Sequence, residues 1–176
     1  PEEARQAAED YRKVLAALDE KRLDGNISIK LSALGLKLDP ALCLEVVARL
    51  AEQARALNRF VRIDMEDSSC TDATIETYLA LRRQGFDNIG IVLQACLRRT
   101  VADTQRLILE PGANFRLCKG IYIEPHAISW RDPEIIRQNY GLILEMMLRA
   151  GSYVGIATHD ERLVWQALRL IQELRV

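Results

Sequence analysis

Val61-Arg-Ile-Asp-Met-Glu-Asp67 is the stretch on which the fold reading turns. Side chains alternate across a strand, so Val61, Ile63 and Met65 share one face while Arg62, Asp64 and Glu66 share the other. The first face is apolar and the second charged. Four more stretches follow the same plan: Ile27-Ser-Ile-Lys-Leu-Ser32, Ile89-Gly-Ile-Val-Leu-Gln94, Phe115-Arg-Leu-Cys-Lys-Gly120 and Val154-Gly-Ile-Ala-Thr-His-Asp160. Each ends in polar or charged groups. An open sheet clad with helices on both faces needs both faces apolar. One apolar face opposite small and charged groups suits a barrel, with helices outside and a polar, partly occupied interior.

Helical sequence follows each strand. Tyr11, Val14, Leu15 and Leu18 recur at i, i+3, i+4, i+7 and predict a first helix. Asp39-Pro40 reads as an N-cap acceptor followed by proline at the first helical position. The stripe behind it is Cys43, Val46, Val47, Leu50, Ala54 and Leu57. A third helix is expected from Thr71 or Asp72 to Gln84, with Gly85 as its cap. A short fourth starts near Thr100 and stops before Pro111-Gly112. Asp132-Pro133 opens a fifth, with Ile136, Tyr140, Ile143, Leu144 and Met147 on one face and Gly151 at its end. The last follows Asp160, with Val164, Leu168 and Ile171 as its stripe.

The spacing separates the remaining architectures. Lys30 and Ala157 lie 127 positions apart across four strand-to-strand steps, a mean near 32. A (β/α)8 barrel uses roughly 31 residues per unit. A doubly wound sheet usually carries a Gly-rich phosphate turn after its first strand, and Leu31-Ser-Ala-Leu-Gly35 is not GxGxxG. The expected fold is therefore α/β, a TIM-type (β/α)8 barrel represented by about five β/α units in one domain over residues 1–176.

The 176 residues are 49% apolar and 28% charged, with a net charge of -1. This balance gives no nucleic-acid footprint. No apolar run approaches the roughly 18 residues of a membrane span, so no transmembrane segment is expected. Cys43, Cys70, Cys96 and Cys118 show no CxxC spacing and read as free thiols in a reducing, cytoplasmic compartment. Pro1 leads straight into helical sequence and the chain ends without a stop signal, so it reads as a central segment of its barrel.

Polar groups at the carboxyl ends of parallel strands mark the active face of such folds. Lys30, Asp64, Glu66, Gln94, Arg116, Lys119 and His159 are expected to converge there. Charges in mid-strand must pair with one another or serve a ligand, because an uncompensated buried charge is costly. His126, after Tyr122-Ile-Glu-Pro125, reads as a solvated loop residue.

Five motifs in order carry a family resemblance: Ser28-Ile-Lys-Leu-Ser32; Arg62-Ile-Asp-Met-Glu66; Val92-Leu-Gln-Ala95 with Leu97-Arg-Arg-Thr100; Arg116-Leu-Cys-Lys-Gly-Ile-Tyr-Ile-Glu-Pro125; and Ala157-Thr-His-Asp160. Together they resemble the strand motifs of proline dehydrogenase. The resemblance implies a distorted barrel that binds FAD and oxidises L-proline to 1-pyrroline-5-carboxylate, passing electrons to a quinone at the surface of the inner membrane. It implies that Lys30 pairs with the proline carboxylate and that Asp64 and Arg116 are catalytic, with Arg116 near the reactive flavin nitrogen. Met65, Gln94, Lys119, Gly120, Ile121, Thr158 and His159 match flavin-contacting positions; no metal is implied. The family's first strand is expected before residue 1, and its last strands and closing helix after residue 176. Cys96, Cys118 and Ile121 depart from the usual pattern.

Two other readings stand beside this one. A Schiff-base lyase or aldolase would use Lys30 or Lys119 as a nucleophile. A non-catalytic barrel fragment would instead self-associate through exposed strand edges. A metal hydrolase built on Asp64, Glu66, Asp67, His159 and Asp160 lacks an HxH pair.

Overall fold

A computed structural model describes residues 2–176. Pro1, read as opening directly into helix, lies outside the described residues. Helices and strands alternate: α1 (Glu2–Glu20), β1 (Ile27–Ile29), α2 (Pro40–Ala56), β2 (Val61–Ile63), α3 (Thr71–Arg83), β3 (Ile89–Gln94), α4 (Thr100–Leu107), β4 (Asn114–Cys118), α5 (Pro133–Arg149), β5 (Tyr153–Ala157) and α6 (Glu161–Leu174). The strands form a five-stranded parallel sheet in sequence order, β1-β2-β3-β4-β5. This α/β arrangement is consistent with part of a TIM-type barrel. The chain divides into two compact units, Pro1–Ile91 and Val92–Val176.

In the first unit Ile27 pairs with Val61 and Ile29 with Ile63; Val61 and Ile63 pair in turn with Ile89 and Ile91. Leu15, Ile29, Leu50, Ile63 and Tyr78 are fully buried between sheet and helices. The sequence starts α2 as expected: the Asp39 carboxylate accepts the Leu42 N–H at 3.0 Å, and proline takes the first turn. Gly85 follows α3 with φ of 84°, a left-handed conformation that costs glycine little.

In the second unit β4 and β5 run in register from Asn114↔Tyr153 to Cys118↔Ala157. Asp132 caps α5 through the N–H groups of Glu134 (2.7 Å) and Ile135 (3.3 Å). Tyr140, buried on α5, donates its hydroxyl to the Leu117 carbonyl at 3.0 Å and so ties α5 to β4.

Three expectations are corrected by the structure. The alternation holds in β1 and β4, but β2 and β3 are buried on both faces. Arg62 is covered as well, its guanidinium lying 4.8 Å from the centre of the Phe60 ring. On α6 the buried stripe is Leu163, Ala167 and Leu170, while Val164 and Leu168 face outward. Both sets have helical spacing, and packing chooses between them. Gly141 of α5 meets the Gln166 side chain of α6 with no room for a Cβ, which turns the Leu163–Ala167 side inward. Val14, likewise, is 48% exposed on α1 while Leu15 is buried.

Candidate active site

Lys30 and Asp64 lie directly beyond the paired ends of β1 and β2. The Asp64 N–H donates to the Ile29 carbonyl at 2.9 Å, so the two residues continue the parallel register. Lys30 is exposed, and its ammonium has no ion-pair partner among the described residues. Its backbone N–H donates to the Tyr11 hydroxyl at 3.2 Å, which anchors this strand end on α1. Asp64 is half-buried and Met65 buried.

The next carboxylate, Glu66, is buried and accepts both the N–H of Ser32, at 2.9 Å, and the Ser32 hydroxyl. This clamp joins the chain leaving β1 to the chain leaving β2. Asp67 accepts from the N–H and hydroxyl of Ser69 and pairs with Lys37 at 3.2 Å. The Ser69 hydroxyl, then Lys37, hold its carboxyl below the usual range. Cys43 is a packing thiol here: burial pushes its pKa up to about 12, with Glu66 adding to the effect.

In the second unit Gln94 is buried at the end of β3. The Thr100 hydroxyl donates to its backbone carbonyl at 2.6 Å, and the Cys96 thiol reaches its side-chain oxygen at 3.9 Å. The ladder continues past the strand end, with Ala95 N–H to Cys118 carbonyl and Cys96 N–H to Lys119 carbonyl, both 2.8 Å. This brings Gly120 against Gln94. Its φ is 101°, and a Cβ there would collide with the Cys96 sulfur and lie 2.9 Å from the Gln94 side-chain oxygen. Beyond them opens a cavity of about 340 Å³ lined by Cys96, Gly120, Ile121, Tyr122 and Trp130.

Arg116, half-buried on β4, stands opposite Gly155 of β5, whose missing side chain leaves room for its aliphatic stem. Lys119 reaches Asp160 at 3.1 Å, and Arg137 of α5 reaches the same carboxylate oxygen at 2.8 Å. The other Asp160 oxygen caps α6 through the Arg162 N–H, at 3.2 Å, while the Asp160 N–H donates to the Thr158 hydroxyl at 3.1 Å. Arg137, then Lys119, lower the Asp160 pKa to about 2. Ile121 and His159 are exposed; so is His126, whose carbonyl accepts from Arg98 at 3.1 Å.

Three contacts join residues too far apart along the chain to be read from it. The Ser32–Glu66 clamp joins residues 34 positions apart. The tight approach of Gly120 to Cys96 had a faint signal in the unusual cysteine. Arg137 had none, because its guanidinium meets Asp160 only through the packing of α5 beside the β5–α6 turn. Among the described residues no group of three or more His, Cys, Asp or Glu is placed to hold a metal ion. No helix among them is long and apolar enough to cross a membrane.

The fold is that of a parallel α/β protein, and in each unit polar and charged groups follow the strand ends. The model of the proline dehydrogenase family matches residues 1–176, and the chain belongs to that family. It is 33% identical over 175 residues to proline dehydrogenase 1 of Bacillus subtilis subsp. natto, covering 99% of this chain and 57% of that protein. It is 33% identical over 176 residues to proline dehydrogenase of Deinococcus radiodurans, covering 97% of this chain and 56% of the relative. The chain thus spans a little over half the length of the curated relatives it matches. The crystal structure of proline utilization A from Bdellovibrio bacteriovorus, inactivated by N-propargylglycine, superposes with a TM-score of 0.87 at 20% identity, covering 99% of this chain and 23% of that one. Proline utilization A of Bradyrhizobium japonicum gives 0.85 at 17% identity, covering 97% and 21%. These structural likenesses establish the fold.

Proposed function

We propose that this chain carries catalytic residues of an FAD-dependent proline dehydrogenase, which oxidises L-proline to 1-pyrroline-5-carboxylate and delivers the electrons to a quinone at the surface of the inner membrane. The observation that carries the reading is the family match along the whole chain together with cations and an amide at the strand ends. The donor set fits FAD. Gln94 has both a donor and an acceptor for the edge of a flavin ring. Arg116 and Lys119 bring positive charge, which suits a ring that becomes anionic on reduction. Gly120, Thr158, His159, Met65 and Ile121 complete the proposed binding set. When bound, FAD supplies the hydride acceptor.

The residues of the chain orient and bind. Lys30 has an ammonium unclaimed by any ion pair among the described residues, and a free ammonium binds a carboxylate by a charge-assisted hydrogen bond. Asp64, beside it in register, is proposed as the acidic active-site group and Arg116 as the cation nearest the reacting nitrogen.

The test is the visible spectrum of the purified chain after FAD reconstitution, repeated with excess L-proline under anaerobic conditions. A flavin band bleached by proline is expected; a chain that takes up no flavin would overturn the reading for this segment. Trapping of a carbonyl substrate by borohydride on Lys30 or Lys119 would favour the lyase reading instead.

A further inference from the structure

We infer that Asp160 is a positioning residue for Lys119, and that Arg137 holds Asp160 in that role. The inference rests on the proposal that Lys119 faces the flavin, and the two can fail separately.

The geometry is asymmetric. Asp160 is fixed from three directions: one oxygen caps α6 through the Arg162 N–H, its own N–H donates to Thr158, and its second oxygen lies between Lys119 at 3.1 Å and Arg137 at 2.8 Å. Its side chain is 9% exposed, against 41% for Lys119. Lysine is a flexible stem with a point charge, so the carboxylate is the fixed member of the pair and the ammonium the one being placed.

Arg137 has two roles. It keeps the carboxylate ionised, as the low Asp160 pKa of about 2 reflects. It also prevents full neutralisation of Lys119, since two cations sharing one carboxylate leave a net positive cluster. Glu134 extends the chain of alternating charge, accepting from Arg137 at 3.4 Å and from Arg162 at 3.2 Å. The α6 N-terminus adds to the hold on the anion. The result is a positive charge set at a defined point beyond β4, against the Asp160 turn that opens α6.

Asp160→Asn tests the carboxylate alone, because asparagine caps a helix as well as aspartate. The first readout needs no flavin: acetylation of Lys119 by an amine-reactive reagent, followed by peptide mass spectrometry. Lys119 should react several-fold faster in Asp160→Asn than in the unaltered chain, and at an unchanged rate in Arg162→Gln. Equal rates in Asp160→Asn and the unaltered chain would overturn the inference.

The second readout is the FAD dissociation constant. Asp160→Asn and Lys119→Met should each weaken binding about tenfold, and the double variant no further, as for residues acting through one contact. Losses that multiply would show that Asp160 acts independently of Lys119 and would sink the positioning role. An unaltered chain that binds no FAD would defeat the flavin reading, while the acetylation rates would still decide whether Asp160 holds Lys119.

Discussion

In the first unit a buried carboxylate, Glu66, accepts from the N–H and hydroxyl of Ser32; in the second, Asp160 accepts from the side chains of Lys119 and Arg137. Both arrangements join polar groups that follow different strands. The first clamp ties two strand ends together, and Lys30 beside it has no ion-pair partner among the described residues. The second gathers cations around one anion and keeps a net positive charge. The Lys30 ammonium is available to an anion. The second clamp holds a positive charge at a defined point beyond β4.

The largest test of this contrast is Gly120→Ala. The positive φ and the collision with the Cys96 sulfur act together, and backbone strain plus overpacking should cost about 3 kcal/mol. Urea unfolding should show the second unit losing stability; an unchanged midpoint would mean that the Gln94–Gly120 approach is loose. Glu66→Ala should cost about 2 kcal/mol, the value of hydrogen bonds to a charged group. Its loss should appear in hydrogen exchange of the Ser32 amide, and an amide as protected as before would break the clamp argument.

A third test uses acid. The Asp160 pKa falls from an ordinary 3.8 to about 2, so its contribution is fully present above about pH 4 and is lost as pH falls through 2. Asp67 is lowered too and has the same sign. Urea midpoints measured from pH 5 to 2 should flatten more in Asp160→Asn than in Asp67→Asn, because two cations rather than one face Asp160. Equal flattening would erase that distinction. The smallest effect is expected for Lys37→Met. The Lys37–Asp67 pair is half exposed on both sides, and solvent screens such surface pairs so that they add little. A larger loss in thermal unfolding would make the first unit as dependent on ion pairs as the second.

Local chemistry explains what could be read in advance. Asp39-Pro40 and Asp132-Pro133 start helices because a carboxylate followed by proline satisfies the first turn from within the chain. The strand cores were legible from apolar alternation, and Lys30, Asp64, Gln94, Arg116 and Lys119 stand out as candidates because charged or amide groups ending apolar strands are costly unless used. The α6 face was misread because two stripes share helical spacing, and a hydrophobic pattern does not say which neighbour approaches closest.

The sequence by itself determined the β/α alternation, the family and the set of groups available for chemistry, since each depends on residues near one another along the chain. Only tertiary structure decided how those groups are held. Ser32 meets Glu66, Gly120 meets Cys96, and Arg137 meets Asp160. Each contact joins separate elements, and whether a charge is clamped, shared or left free depends on distances that no local pattern encodes.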